Sequence, residues 1–205
     1  MKNLIALIFV AILSPGILNM HARESESFDF KTVAPDTPDT APKEFRLRSN
    51  MLPWLMAVPD LGAEFVTAKH WSLLFDVWFS QWSFSDKYSL KTVAILPEVR
   101  WWVKTAQKGS FLNFHGDVAW FNARFRDYRY QDYSRPLFGA GIGYGYRLNV
   151  NQRWAFEFEV GAGYANIKYN RYYNVPNGAW KDTREYTYWG VDRVSIAVVY
   201  YICDL

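Results

Sequence analysis

The run Trp154-Ala155-Phe156-Glu157-Phe158-Glu159-Val160-Gly161-Ala162-Gly163-Tyr164 decides the fold of this chain. Read by twos, one face is Trp154, Phe156, Phe158, Val160, Ala162 and Tyr164. The other is Ala155, Glu157, Glu159, Gly161 and Gly163. Strict alternation marks a strand whose two faces meet different surroundings. Large apolar groups on one side, with carboxylates and glycines on the other, fit a wall between lipid and the polar interior of a barrel.

Outward from this run, strand signals begin at Phe45. Eight strands are predicted, over 45–57, 61–68, 70–82, 94–104, 111–124, 137–148, 153–169 and 189–203, and no helical period competes with them. The joins near Lys69, across Thr105–Gly109 and across Asn149–Gln152 are short. Those across Ser83–Thr92, Asp127–Pro136 and Asn170–Tyr188 are longer, and only the Val58-Pro59-Asp60 turn breaks the pattern. Short turns on one side and long loops on the other are the arrangement of outer-membrane barrels. The expected fold is therefore all-β: an eight-stranded antiparallel up-and-down transmembrane β-barrel over 44–205, with a polar, side-chain-filled interior.

The faces agree. The outward parity holds Phe45, Leu47, Met51, Leu55, Ala63, Phe65, Leu73, Phe75, Val77, Phe79, Ile95, Val99, Trp101, Val103, Leu112, Phe114, Val118, Trp120, Phe138, Ala140, Ile142, Tyr144, the Trp154 series and Val194 to Ile202 by twos. Between these positions the same parity carries no formal charge, as required where Arg or Lys at the bilayer midplane costs about 2–4 kcal/mol. Trp71, Trp101, Tyr146, Trp154 and Tyr200 fall at the periplasmic end, and Phe79, Trp120, Phe138 and Tyr164 at the outer end, making two aromatic girdles. No Lys lies centrally in any predicted strand, which argues against a water-washed outer face.

The inward parity collects Arg46, Arg48, Glu64, Asp76, Glu98, Arg100, Asp117, Arg147, Glu157, Glu159 and Arg193, together with His115. Eight strands leave an interior only wide enough for side chains. A paired charge network filling the lumen is expected rather than a conduit. Gly139, Gly141, Gly143 and Gly145 form a strip without side chains on the same face, leaving room for bulky neighbours such as Trp78 and the arginines.

Lys2, the apolar run Leu4 to Leu13 and the breakers Ser14-Pro15-Gly16 read as a secretory signal peptide over 1–22. Residues 23–43, with Pro35, Pro38 and Pro42, read as a flexible linker. A formal charge of +3 on 205 residues gives no basis for a nucleic-acid partner. The single cysteine, Cys203, has no internal disulfide partner.

Catalytic readings are weak. Glu157 and Glu159 share a strand face, but nothing shapes a sugar cleft around them. His70-Trp71-Ser72 resembles the His-x-Ser pair of outer-membrane lipid A deacylases, yet its parity points inward at the periplasmic end and no acidic orienter is evident. Three scattered histidines do not make a metal site. No catalytic residue, cofactor or metal is expected. The outer loops carry the better signal: Tyr128, Arg129, Tyr130, Tyr133, Arg171, Tyr172, Tyr173, Trp180 and Tyr186 offer large contact area and hydrogen bonds for a partner. The plain alternative is that these aromatics continue the barrel above the bilayer.

Several segments are similar to one family. They are Arg46-Leu47-Arg48-Ser49-Asn50-Met51-Leu52, Pro59-Asp60-Leu61-Gly62-Ala63-Glu64, His70-Trp71-Ser72-Leu73, Leu96-Pro97-Glu98-Val99-Arg100-Trp101-Trp102, Gly139-Ala140-Gly141 to Tyr146, the Trp154 run, and Val194 to Tyr200. Over roughly 44–201 the chain resembles the exported barrels known as domain of unknown function 3575. The resemblance implies an outer-membrane barrel, often encoded near fimbrial or adhesin genes, with no catalytic residues to carry over. The expected role is structural or surface-interactive, with the outer-membrane lipid bilayer and surface or fimbrial proteins as partners. The alternatives are a soluble exported lipocalin-like barrel with its faces reversed around a small apolar ligand, and more remotely a lipid A-modifying enzyme. On the primary reading, Phe158→Arg blocks insertion and Glu157→Gln is tolerated better.

Overall fold

The computed structural model describes residues 44–104 and 108–202; the expected signal peptide and linker over 1–43, and Cys203, lie outside them. Alternating sequence becomes strand throughout: β1 (Phe45–Asn50), β2 (Asp60–Ala68), β3 (Trp71–Ser85), β4 (Tyr88–Trp102), β5 (Gly109–Phe125), β6 (Tyr128–Asp132), β7 (Leu137–Asn149), β8 (Trp154–Tyr173) and β9 (Trp180–Tyr201). All pairings are antiparallel. They run β1–β2–β3–β4–β5–β7–β8–β9 and return from β9 to β1, so the sheet closes into a ring. Closure leaves the eight ring strands without an open edge.

The ninth strand corrects the predicted count of eight. β6 lies in the segment read as a loop, wedged between the outer ends of β5 and β8. The other outer loops are also largely strand. β3 and β4 run on to a two-residue turn, and β8 and β9 continue past Ala165 and Tyr188 to Tyr173 and Trp180. Above the apolar band both sheet faces carry polar groups, as in Lys168-Tyr169-Asn170-Arg171 opposite Glu185, Arg184, Thr183 and Asp182. Side-chain alternation fades there, while backbone pairing continues without it.

β1 is shorter than predicted. Pro53 has no N–H for the ladder, and the Asn50 side chain accepts from Leu52 N, capping a single helical turn, α1 (Met51–Trp54). Met51 and Leu55 are therefore exposed on an outer connection rather than in a strand. That connection, 51–59, removes the one exception to long outer joins.

None of the residues assigned outward is buried, and all the charged residues assigned inward are buried or nearly so. The reversed faces of a lipocalin-like barrel are not those found. On β8 the apolar face runs from Trp154, packed on Tyr200 at 4.8 Å, to Tyr164, packed on Trp189 at 4.8 Å. Ten residues at about 3.3 Å each, tilted by about 40°, make a band about 25 Å tall. Lys91, Lys168 and Lys181 do lie within strands, but beyond this band.

Candidate functional site

The interior charges meet one another. Glu157, at the second inward position of β8, is reached by three arginines. Arg48 Nε donates to Oε1 at 2.8 Å, Arg100 donates to both oxygens at 2.9 Å, and Arg147 Nε donates to Oε2 at 2.9 Å. Arg48 also pairs with Asp76 and donates to Ser195 Oγ at 2.6 Å. Arg100 donates to Glu98 at 2.6 Å, Arg147 lies 2.7 Å from Glu64, and Arg193 bridges Glu98 at 2.7 Å and Asp117 at 2.8 Å. Arg48 lies 3.3 Å from Glu159, and Arg46 lies 4.0 Å from Glu64. A guanidinium presents several donors in a fixed fork. Three of them around one carboxylate knit β1, β4 and β7 to β8 through the middle of the ring.

Below this network the lumen is plugged by aromatics. Trp102 and Phe111 are fully buried with ring centroids 4.7 Å apart, and Arg147 and Arg100 lie over them at 4.7 and 4.5 Å. The glycine strip of β7 admits neighbours from β5 rather than Trp78, which instead bonds Asp60. A Cβ on Gly145 would come within 2.2 Å of Phe111, one on Gly143 within 2.8 Å of Asn113, and one on Gly139 within 2.8 Å of Asp117.

Two interior acids escaped the sequence reading. Asp60 precedes the predicted start of β2; it is buried and accepts from Asn50 N at 2.6 Å. Asp192 has outward parity by counting, but a β-bulge opposite Gly161–Ala162 turns both it and Arg193 inward. Gly190, at φ +151°, stands beside the bulge, and a glycine inside a strand is the signal in the sequence that could have pointed to it. Among the described residues the ring interior thus holds five arginines against eight carboxylates: Asp60, Glu64, Asp76, Glu98, Asp117, Glu157, Glu159 and Asp192. The sequence reading had five against six.

The catalytic candidates are engaged structurally. Ser72 is fully buried, donating to Glu64 at 2.7 Å and accepting from Trp102 Nε1 at 2.8 Å, while His70 Nδ1 lies 2.9 Å from the Trp102 carbonyl. Neither contacts the other through these bonds.

At the outer end β5, β6, β8 and β9 form a wall. Tyr128 packs on Tyr173 at 5.8 Å and Tyr130 on Tyr169 at 5.9 Å. Lys181 Nζ donates to the Tyr128 hydroxyl at 2.6 Å, and Arg129 lies over Tyr172 at 4.7 Å. Burial pushes the Tyr130 and Tyr169 hydroxyls above their usual range. Arg171 binds Asp182 through two donors, which holds the Asp182 carboxyl down at about 2. Of the residues read as partner-binding, Tyr130 and Arg171 are therefore buried inside the wall, and Tyr128, Arg129 and Tyr172 are half-buried in it. Tyr133, Tyr173, Trp180 and Tyr186 stay exposed, joined by Trp189 at 75%.

A family model described as protein of unknown function (DUF3575) matches residues 30–202. No curated protein matches the chain.

Proposed function

The chain belongs to the DUF3575 family, and from that premise we propose that it is an outer-membrane β-barrel, exported by a cleaved signal peptide, that presents the outer wall as an interaction surface and performs no catalysis. One observation carries the membrane reading. Among the described residues no charged side chain faces outward between the two girdles, while large apolar groups such as Phe75, Phe114, Ile142 and Phe158 are 46%, 60%, 69% and 48% exposed. An apolar surface closed around a whole ring is untenable in water and is what a bilayer requires. The interior is occupied by its own salt bridges and aromatics, which supports a structural lumen over a conduit. The exposed Tyr133, Tyr173, Trp180, Tyr186 and Trp189 supply rigid aromatic contact area above the bilayer. The genetic setting implied for the family makes a fimbrial or adhesin subunit the partner to try first.

The test is gel mobility of the protein from an outer-membrane fraction, with and without boiling in detergent. A folded form running faster until boiled supports the reading. Recovery from the soluble periplasm with no such shift refutes it.

A further inference from the structure

The bulge at Asp192 assembles a group of side chains outside the arginine network. Asp192 is the extra residue between the pairs Gly161–Arg193 and Ala162–Val191. Its side chain is 2% exposed, its Oδ2 lies 3.2 Å from His115 Nε2, and its Oδ1 has no hydrogen-bond partner. With Asp117 added, one ligand atom from each of the three residues lies within 4.8 Å of the others. Asp117 gives one oxygen to Arg193 and is 17% exposed, so the group is open to solvent on that side.

The hydrogen bonds behind His115 set its tautomer. Asn113 Nδ2 donates to Glu159 Oε1 at 2.9 Å, which turns Asn113 Oδ1 toward His115 Nδ1 at 3.0 Å. Nδ1 then carries the hydrogen, and the Nε2 lone pair faces the Asp192 carboxylate. Two lone pairs at 3.2 Å repel unless positive charge sits between them, and a proton or a metal ion can supply it. A second carboxylate and an orphaned buried oxygen favour the ion, since a buried polar atom without a partner is costly. The missing side chains of Gly141 and Gly163 are what let His115 and Asp192 approach each other against the backbone. A Cβ on Gly141 would stand 2.6 Å from both Asp192 Oδ2 and His115 Nε2, and one on Gly163 would stand 2.1 Å from Asp192 Oδ2.

We propose that His115, Asp117 and Asp192 bind a divalent first-row transition ion of the zinc type, clasping β5 to β9 across the glycine faces of β7 and β8. One imidazole nitrogen with two carboxylates suits such an ion, whereas calcium and magnesium take oxygen alone. Tetrahedral ligands about 2.0–2.2 Å from zinc stand roughly 3.4 Å apart. The His115–Asp192 pair, at 3.2 Å, already has that spacing, and a ligand atom of Asp117 lies within 4.8 Å of both. The Glu159–Asn113–His115 chain orients the imidazole as outer partners of metal-bound histidines do. The site lies inside the ring and does not depend on where the ring resides.

The experiment uses the full chain, folded in detergent and stripped with a chelator, then titrated with Co2+ and Zn2+. A visible Co2+ d–d band that Zn2+ bleaches is expected, unaffected by excess Ca2+ or Mg2+. Zinc X-ray absorption should show one imidazole in an otherwise oxygen shell. His115→Ala and Asp192→Asn should each weaken Zn2+ binding about 10-fold or more, Asn113→Ala about 10- to 100-fold, and His70→Ala not at all. Folded protein without a Co2+ band, a shell without imidazole, or binding that survives His115→Ala overturns the proposal. If those variants fail to fold, the X-ray absorption of the unaltered protein decides alone.

Discussion

Phe158 lies on the outward face of β8, 48% exposed, four residues above Trp154. At about 3.3 Å per residue and a tilt of about 40°, it stands about 10 Å above the girdle at Trp154, close to the middle of a band about 25 Å tall. Arginine near that depth costs about 2–4 kcal/mol, against about 0–1 kcal/mol at the interface. The comparison that isolates charge from lost packing is arginine against alanine at each position. Phe158→Arg should be less stable than Phe158→Ala by about 2–4 kcal/mol, roughly 30- to 900-fold in the folded ratio. Trp154→Arg should fall within about 1 kcal/mol of Trp154→Ala. Reversible urea titrations of folding into lipid vesicles, followed by tryptophan fluorescence and gel mobility, measure both differences. An arginine penalty of equal size at the two depths, or none at Phe158, would refute the reasoning, because a water-facing sheet has no depth to sense.

Three further outcomes follow from the interior and the wall. Glu157→Gln leaves the Arg48, Arg100 and Arg147 guanidinium groups without their shared anion and should cost about 3–5 kcal/mol in the same titration; the convergence of three arginines makes this change harsher than the sequence reading expected. Gly145→Ala drives a methyl into the Phe111 ring, pinned by Trp102 and Arg100, and should cost about 1–3 kcal/mol, with Phe111→Leu restoring part of it. Because the folded Asp182 carboxyl is held at about 2, below its unfolded value, the Arg171–Asp182 contact contributes above about pH 4 and is lost as pH falls toward 2. Amide exchange of Arg171–Tyr173 and Trp180–Arg184 should therefore rise between pH 4 and 2, and Asp182→Asn should raise it already at pH 7; exchange that is flat in pH and unchanged by the variant would remove the ion pair as the clasp of that hairpin tip.

Within the apolar band the sequence by itself determined which residues face out and which face in, because in a strand a period of two puts the apolar groups on one face and the charges on the other. The Trp154–Tyr164 run alone carried that information, and the interior roles of Arg48, Arg100, Arg147 and Glu157 followed by parity. Outside the band one rule no longer applies to both faces, so Asn170–Tyr173 of β8, Trp180–Tyr188 of β9 and all of β6 read as loop although their backbones pair. The fold alone decided which arginine meets which carboxylate, since partners such as Arg48 and Glu157 are brought together by ring closure across 109 positions of sequence. It alone placed Asp192 beside His115, because a bulge inserts one residue and overrides the parity assignment at that residue. Periodicity reads surroundings that repeat along the chain; a single inserted residue and a contact across the lumen do not repeat, and they exist only once the ring has closed.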